Sequence, residues 1–179
     1  MILMLLLQAA VTPAAASGWT TVAKIDPATH LGSTSVSTRT ADGNARLVVR
    51  CDRSSPGTNA VSVQFIPKPG FAKASPRPVT LTADTGPALG TNWEFPGGGA
   101  FTAQDGVVTT LTVAIAHAKT IKIRAIDPSN TPVDAVFAGP ASEAPIRQTV
   151  EACGYVFGQM PAPPPPPPAP KSDDAEPSQ

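Results

Sequence analysis

Two histidines and two cysteines are all that these 179 residues offer as neutral-pH bases and thiolate metal ligands. His30 and His117 are far apart, and neither accompanies a Gly-x-Ser-x-Gly elbow or a cysteine nucleophile. Two distant imidazoles also fail to supply the converging ligands of a metal site. The reading is no catalytic residues, no metal and no cofactor. A Ser/His/Asp triad on His30, which follows Asp26-Pro27-Ala28-Thr29, would need a serine chosen by chance from many. An excess of one charge is lacking as well. Basic and acidic residues number 13 each, and before the acidic C-terminal tail the balance is 12 basic to 10 acidic. Such a weak surplus argues against long-range attraction of nucleic acid. No apolar run reaches the roughly 20 residues that cross a bilayer. Helical stripes are nearly absent too.

What is present begins with Met1-Ile2-Leu3-Met4-Leu5-Leu6-Leu7, apolar to Val11 apart from Gln8, halted by Thr12-Pro13 and followed by Ala14-Ala15-Ala16. Small residues after a short apolar run mark a signal peptide over residues 1–16, although no Lys or Arg precedes the run. A periplasmic or secreted destination follows, with no membrane span after cleavage. Cys51 and Cys153, an even pair 102 positions apart, suit an oxidising compartment and read as a disulfide. Two separate buried thiols are the alternative.

Short alternating runs of Val, Ile, Thr and Leu between Gly, Pro, Asn and Asp predict strands. Leu47, Val49 and Cys51 point one way and Arg46 and Arg50 the other. Val61-Ser62-Val63-Gln64-Phe65 alternates equally well and completes a hairpin. Leu111, Val113 and Ile115 read as a strand, as do Ile121 and Ile123, with a turn at Asp127-Pro128-Ser129-Asn130 and a return through Val133 to Phe137. Weaker strands are expected around residues 19–25, 33–38, 79–83 and 92–95. About eight to nine strands predict one mainly β domain, an antiparallel β-sandwich over residues 17–158. One short C-terminal helix is expected from Glu143 to Ala152, with Ser142 as N-cap, Pro145 in the first turn, and Gly154 at its end. Ile146, Val150 and Cys153 would share its inner face. Residues 159–179, with prolines unbroken from Pro163 to Pro168, read as a disordered tail, either a spacer or a ligand for a proline-reading domain.

The segment Pro67 to Pro78 carries Lys68, Lys73 and Arg77, no anion, and the aromatic Phe71. It is the candidate binding loop, with Phe71 as apolar anchor for an acidic partner. The plainer reading tucks Phe71 into the sandwich edge. Arg46, Arg50, Lys122 and Arg124 would make a basic sheet face only if their strands are neighbours. Gly97-Gly98-Gly99 reads as a β connection, since the Lys of a phosphate loop is missing.

Trp19, Asp26-Pro27-x-Thr29, Leu47-Val48-Val49-Arg50-Cys51-Asp52, Val136-Phe137-Ala138-Gly139 and Cys153-Gly154-Tyr155 resemble a group of small exported proteobacterial proteins. That group includes periplasmic accessory proteins associated with type VI secretion systems. The resemblance implies a β-sandwich whose first cysteine lies in a central strand and whose second closes the domain, and it brings no catalytic residues. The expected function is a non-enzymatic binding or scaffolding module of the bacterial envelope, whose partner is an envelope protein or cell-wall polymer. Hydrolysis of envelope polymers is the alternative. Intact mass of the protein recovered from an exporting host should correspond to a chain starting at Ser17; a chain retaining Met1 would refute cleavage.

Overall fold

A computed structural model describes residues 18–55 and 58–162. The signal-like segment and the proline run fall outside the described residues. Nine strands and two helices follow one another: β1 (Thr20–Ile25), β2 (Gly32–Arg39), β3 (Ala45–Ser55), β4 (Thr58–Pro67), β5 (Ala74–Ala83), β6 (Leu89–Phe95), β7 (Ala100–Thr102), α1 (Asp105–His117), β8 (Thr120–Ile126), β9 (Pro132–Ala138) and α2 (Ala144–Glu151). All strands belong to one antiparallel sheet, in the order β1-β2-β3-β4-β7-β6-β5-β8-β9.

The two expected hairpins form, because period-two alternation gives each strand one apolar face to bury. In the β3–β4 pair Val49 lies opposite Val63 and Cys51 opposite Val61, and all four are buried while Arg46 and Arg50 point outward. The β8–β9 turn closes because the Asp127 carboxylate accepts the backbone N–H of Ser129 and of Thr131, each at 2.8 Å. Asn130 there takes the left-handed conformation, φ 64°, which its short polar side chain tolerates.

The sheet bends over on itself. Phe65 of β4 and Phe137 of β9 stand five places apart in the strand order, yet their rings meet edge-on with centroids 6.3 Å apart. Both sit in a single buried cluster with Leu47, Leu81, Trp93 and Ile123. The sandwich is therefore one curled sheet that remains open, and Trp19 bridges its margins by donating Nε1–H to the Ala138 carbonyl at 2.9 Å.

Leu111, Val113 and Ile115 are not a strand: they lie in α1. Reading alternate residues catches Val113, which is only half-buried, and misses the stripe Val108, Leu111, Thr112, Ile115 that the helix turns inward. That stripe has helical spacing. Local preference for β-branched residues lost to the chance to cover the sheet with an apolar helix face. The threonines are accommodated by donating to carbonyls one turn back, Thr110 to Gly106 at 2.9 Å and Thr112 to Val108 at 2.8 Å. Among the described residues there are thus two helices where one was expected.

The expected C-terminal helix is present as α2, with Pro145 in its first turn, Ile146 and Val150 buried, and Gly154 at φ 77° just beyond it. Its N-cap is Glu143 and not Ser142, and no side chain caps it. The Glu143 carboxylate is instead engaged by Arg147, one turn on, at 2.6 Å.

Cys51 and Cys153 form a disulfide with Cα atoms 5.5 Å apart. It ties the buried face of β3 to the turn after α2, at a point where the Asn59 side-chain amide also donates to the Cys153 carbonyl at 3.2 Å. Closing a loop of this length stabilises by about 4 to 5 kcal/mol in the chain-entropy model, an upper figure for a native bridge. Hydrogen exchange of the reduced protein should show residues 144–157 losing protection before the β3–β4 ladder; simultaneous loss would show that the bridge has no such local role.

Candidate functional site

Strands β3, β4 and β7 lie at the middle of the sheet order, and their outer faces carry a groove of about 550 Å³. Asp52, Ser62, Gln64, Ile66 and Phe101 line it, with the backbone of Gly97–Gly99 as one wall. Sheet register explains the grouping. Gln64 lies directly opposite Phe101 on β7, Ser62 opposite Arg50, and Ala60 opposite Asp52. Phe65, between Gln64 and Ile66, points the other way and is wholly buried.

The polar groups of the groove are held in place. Gln64 donates an Nε2–H to the Ser62 hydroxyl at 3.0 Å, which leaves its carbonyl oxygen and a second N–H to face the groove. The Asp52 carboxylate accepts from Arg50 Nε at 2.8 Å and from a terminal guanidinium nitrogen at 2.7 Å. This hydrogen bonding raises the Arg50 pKa above its ordinary value, against a smaller opposing effect of burial. The glycine wall is fixed from behind: Gly98 N–H donates to the Phe71 carbonyl at 2.7 Å. The two loops press so close that a Cβ on Gly70 would fall 2.7 Å from the Gly98 carbonyl oxygen. Gly97 and Gly98 have φ of 108° and 79°, which side-chain-bearing residues adopt only under strain. The Gly97-Gly98-Gly99 segment is the β connection expected of it.

The Lys68–Arg77 segment is arranged differently from a docking loop anchored by an exposed aromatic. Phe71 is a core residue, 7% exposed, with ring centroids 5.0 Å from Phe95 and 5.9 Å from Phe65. Burying the ring in the core removes its apolar surface from water, so Phe71 is not free to meet a partner. Lys68 and Lys73 are exposed. Arg77 belongs to β5 and is committed to the β8–β9 turn, donating to Asn130 Oδ1 at 2.9 Å and to the Pro128 carbonyl at 3.3 Å.

No basic sheet face forms either. Arg46 and Arg50 are on β3 and Lys122 and Arg124 on β8, with four strands between. Arg124 is paired with Asp134 at 2.7 Å, and this hydrogen bond holds the Asp134 carboxyl below its ordinary pKa.

Both histidines are on the surface. His30 takes φ 56° in a turn organised by Asp26, whose carboxylate accepts from the Ala28 and Thr29 N–H groups at 2.8 and 3.0 Å. His117 closes the last turn of α1. Its Nε2 is 3.1 Å from Glu143 Oε2, but the side chain is 60% exposed. Neither histidine lines the groove. Among the described residues no three His, Cys, Asp or Glu side chains converge as metal ligands, and no helix is long and apolar enough to cross a membrane.

The outer positions of β4 were visible in the sequence as the polar half of an alternating strand. Nothing in the sequence joined them to Phe101, which arrives through an intervening excursion of β5 and β6. The class defined so far is a disulfide-stapled, mainly β domain, built on one open nine-stranded antiparallel sheet with two helices. Comparison with protein-family models, with curated proteins and with solved structures finds no match.

Tyr155 donates its hydroxyl to Asp105 at 2.8 Å, fastening the segment after α2 to the start of α1. Burial, helped by this bond, pushes the phenol up to about 12 from 10.0. The folded chain thus favours the neutral phenol, so its contribution is complete below pH 10 and is lost as pH rises towards 12. In denaturant titrations the stability of the parent should fall over that window more steeply than that of Tyr155→Phe; parallel curves would contradict the assignment.

Proposed function

We propose that this chain is a non-enzymatic binding or scaffolding module of the bacterial envelope, working in the periplasm or outside the cell. Its groove over β3, β4 and β7 receives an envelope protein or a cell-wall polymer. The observation that carries this reading is the groove itself, about 550 Å³, within the range of about 300 to 1,000 Å³ usual for ligand sites. Its floor consists of laddered strands, so little order is lost on binding. Support for the compartment comes from the Cys51–Cys153 disulfide, which persists where thiols are oxidised, and from the signal-like residues 1–16. The resemblance to periplasmic accessory proteins of type VI secretion systems agrees with that compartment.

Hydrolysis of envelope polymers, the alternative, called for a histidine and a carboxylate together in a deep pocket. His117 and Glu143 do pair, but on open surface. Binding is the reading the geometry favours.

Co-sedimentation with purified cell-wall sacculi, and crosslinking in an intact envelope fraction, test the proposal. Phe101→Ala should reduce the retained or crosslinked fraction about tenfold, as expected for a central aromatic contact. Lys68→Ala with Lys73→Ala should leave it within about twofold, as for exposed rim charges. Equal retention by the parent and Phe101→Ala would overturn the groove assignment.

A further inference from the structure

One end of the groove meets unpaired positive charge. Resting on the binding reading above, we infer that the groove's resident occupant is this chain's own C-terminal segment: Asp173, Asp174 and Glu176 dock on Arg39 and Arg46, with the run Pro163 to Pro168 laid along β4.

Charge at the receiving end is the first reason. Arg39 of β2 lies directly opposite Arg46 of β3, and Arg46 opposite Ile66 of β4, which lines the groove. Like charges facing each other across two strands are destabilising. Among the described residues neither guanidinium has an ion-pair partner, and Arg46 Nε is buried with no hydrogen-bond partner. Two such guanidiniums suit a carboxylate that pairs with both. Exposed Lys68 stands two positions beyond Ile66, and exposed Lys73 has its backbone nitrogen 4.0 Å from the Cβ position of Gly97, on the groove wall. Nearby anions are fewer. Asp52 is held by Arg50, Asp42 is engaged by Thr40 and Asn44 in the β2–β3 turn, and Glu94 lies opposite Phe101.

Reach is the second. Residues 157–160 run back along α1: the Phe157 ring lies 6.4 Å from that of His117, a Cβ on Gly158 would be 3.6 Å from Val113, and Met160 Sδ is 3.5 Å from the Cβ position of Gly106. The chain thus leaves at the start of α1, close to Ala103, which lines the groove. That is the end away from Ile66, since β7 runs antiparallel to β4 with Ala100 opposite Phe65 and Thr102 opposite Val63. From Gly106 to Ile66 is about 30 Å, of which positions 60 to 66 take about 20 Å. Residues 161–172 span about 37 Å at the polyproline rise of about 3.1 Å per residue. Asp173 therefore arrives beside Arg46.

The third is the kind of chain. Proline has no N–H, so this segment does not add as a strand to the part of β4 that β7 leaves unpaired. It binds through its rings, for which half-buried Phe101 and Ile66 supply an apolar surface. A backbone already restricted by proline loses little freedom on docking. No charge interrupts residues 161–170, and Lys171 is the one cation before the three acids.

Amide chemical shifts of the isotope-labelled mature chain test the docking without any partner. In Asp173→Asn, Asp174→Asn, Glu176→Gln the amides of residues 39, 46, 64–66, 68 and 101 should move. Raising salt from about 50 to about 500 mM should move the parent's the same way, because screening loosens exposed pairs. Arg39→Glu with Arg46→Glu should also shift residues 64–66 and 101, and adding Asp173→Lys, Asp174→Lys and Glu176→Lys should restore them. Thermal unfolding of each variant separates undocking from loss of fold. Unmoved amides on neutralising the acids would overturn the docking, as would shifts that grow with protein concentration, which would seat the segment of a second copy there. Neutralising the acids should also raise retention by sacculi about threefold, the gain when an occupant present about two-thirds of the time is removed. Moved amides with unchanged retention and crosslinking would uphold the docking and remove the groove from the binding reading; unmoved amides would remove the docking alone.

Discussion

The structure depends on how one continuous sheet hides its apolar face. Nine strands laid side by side expose more hydrophobic surface than two short helices can cover. The sheet therefore folds back until Phe65 meets Phe137, and α1 and α2 pack against what remains. Removing this apolar surface from water is the dominant favourable contribution, at about 25 cal/mol per Å². The curl dictates the remaining features. It draws Phe71 inward from a surface loop, brings Trp19 to the carbonyl of Ala138, and leaves the margins unpaired so that the sheet stays open. The disulfide works within this arrangement, holding the second helix to a strand that the curl has already buried.

The outer face follows from the inner one. Because side chains alternate along a strand, fixing Val61, Val63 and Phe65 inward fixes Ser62, Gln64 and Ile66 outward in register. The groove is thus a by-product of core packing in position, though not in chemistry. Its polar groups answer one another through Gln64–Ser62 and Arg50–Asp52. Ion pairs elsewhere lie on partly or fully exposed surface, such as Arg124–Asp134 and Arg147–Glu143. Pairs of that kind contribute at most about 1 kcal/mol each, so they tune the surface without holding the fold.

Much of the sheet was legible because period-two alternation is local. β3, β4, β8 and β9 and the turn at Asp127 could be read residue by residue, as could α2 with its proline start and glycine end. Leu111, Val113 and Ile115 misled for a definite reason. A run of Val, Thr, Leu and Ile satisfies a strand pattern and a helical stripe together, and only the neighbouring sheet decides between them. The candidate loop misled in a similar way, since nothing local distinguishes a Phe71 that anchors a partner from one that fills the core. Arg46 and Lys122 could be recognised as outward-facing, but not that four strands separate theirs.

By itself the sequence determined the fold class, the pairing of the only two cysteines, and the residues that face inward on most strands. These rest on short-range periodicity and on counting, and need no knowledge of distant neighbours. Only the tertiary structure decided the strand order, the curl of a single sheet, the helical state of residues 105–117, the burial of Phe71, and the meeting of Gln64 with Phe101. Each of those depends on contacts between segments far apart in the chain, whose relative placement is set by the most complete burial of apolar surface and not by any one segment's preference.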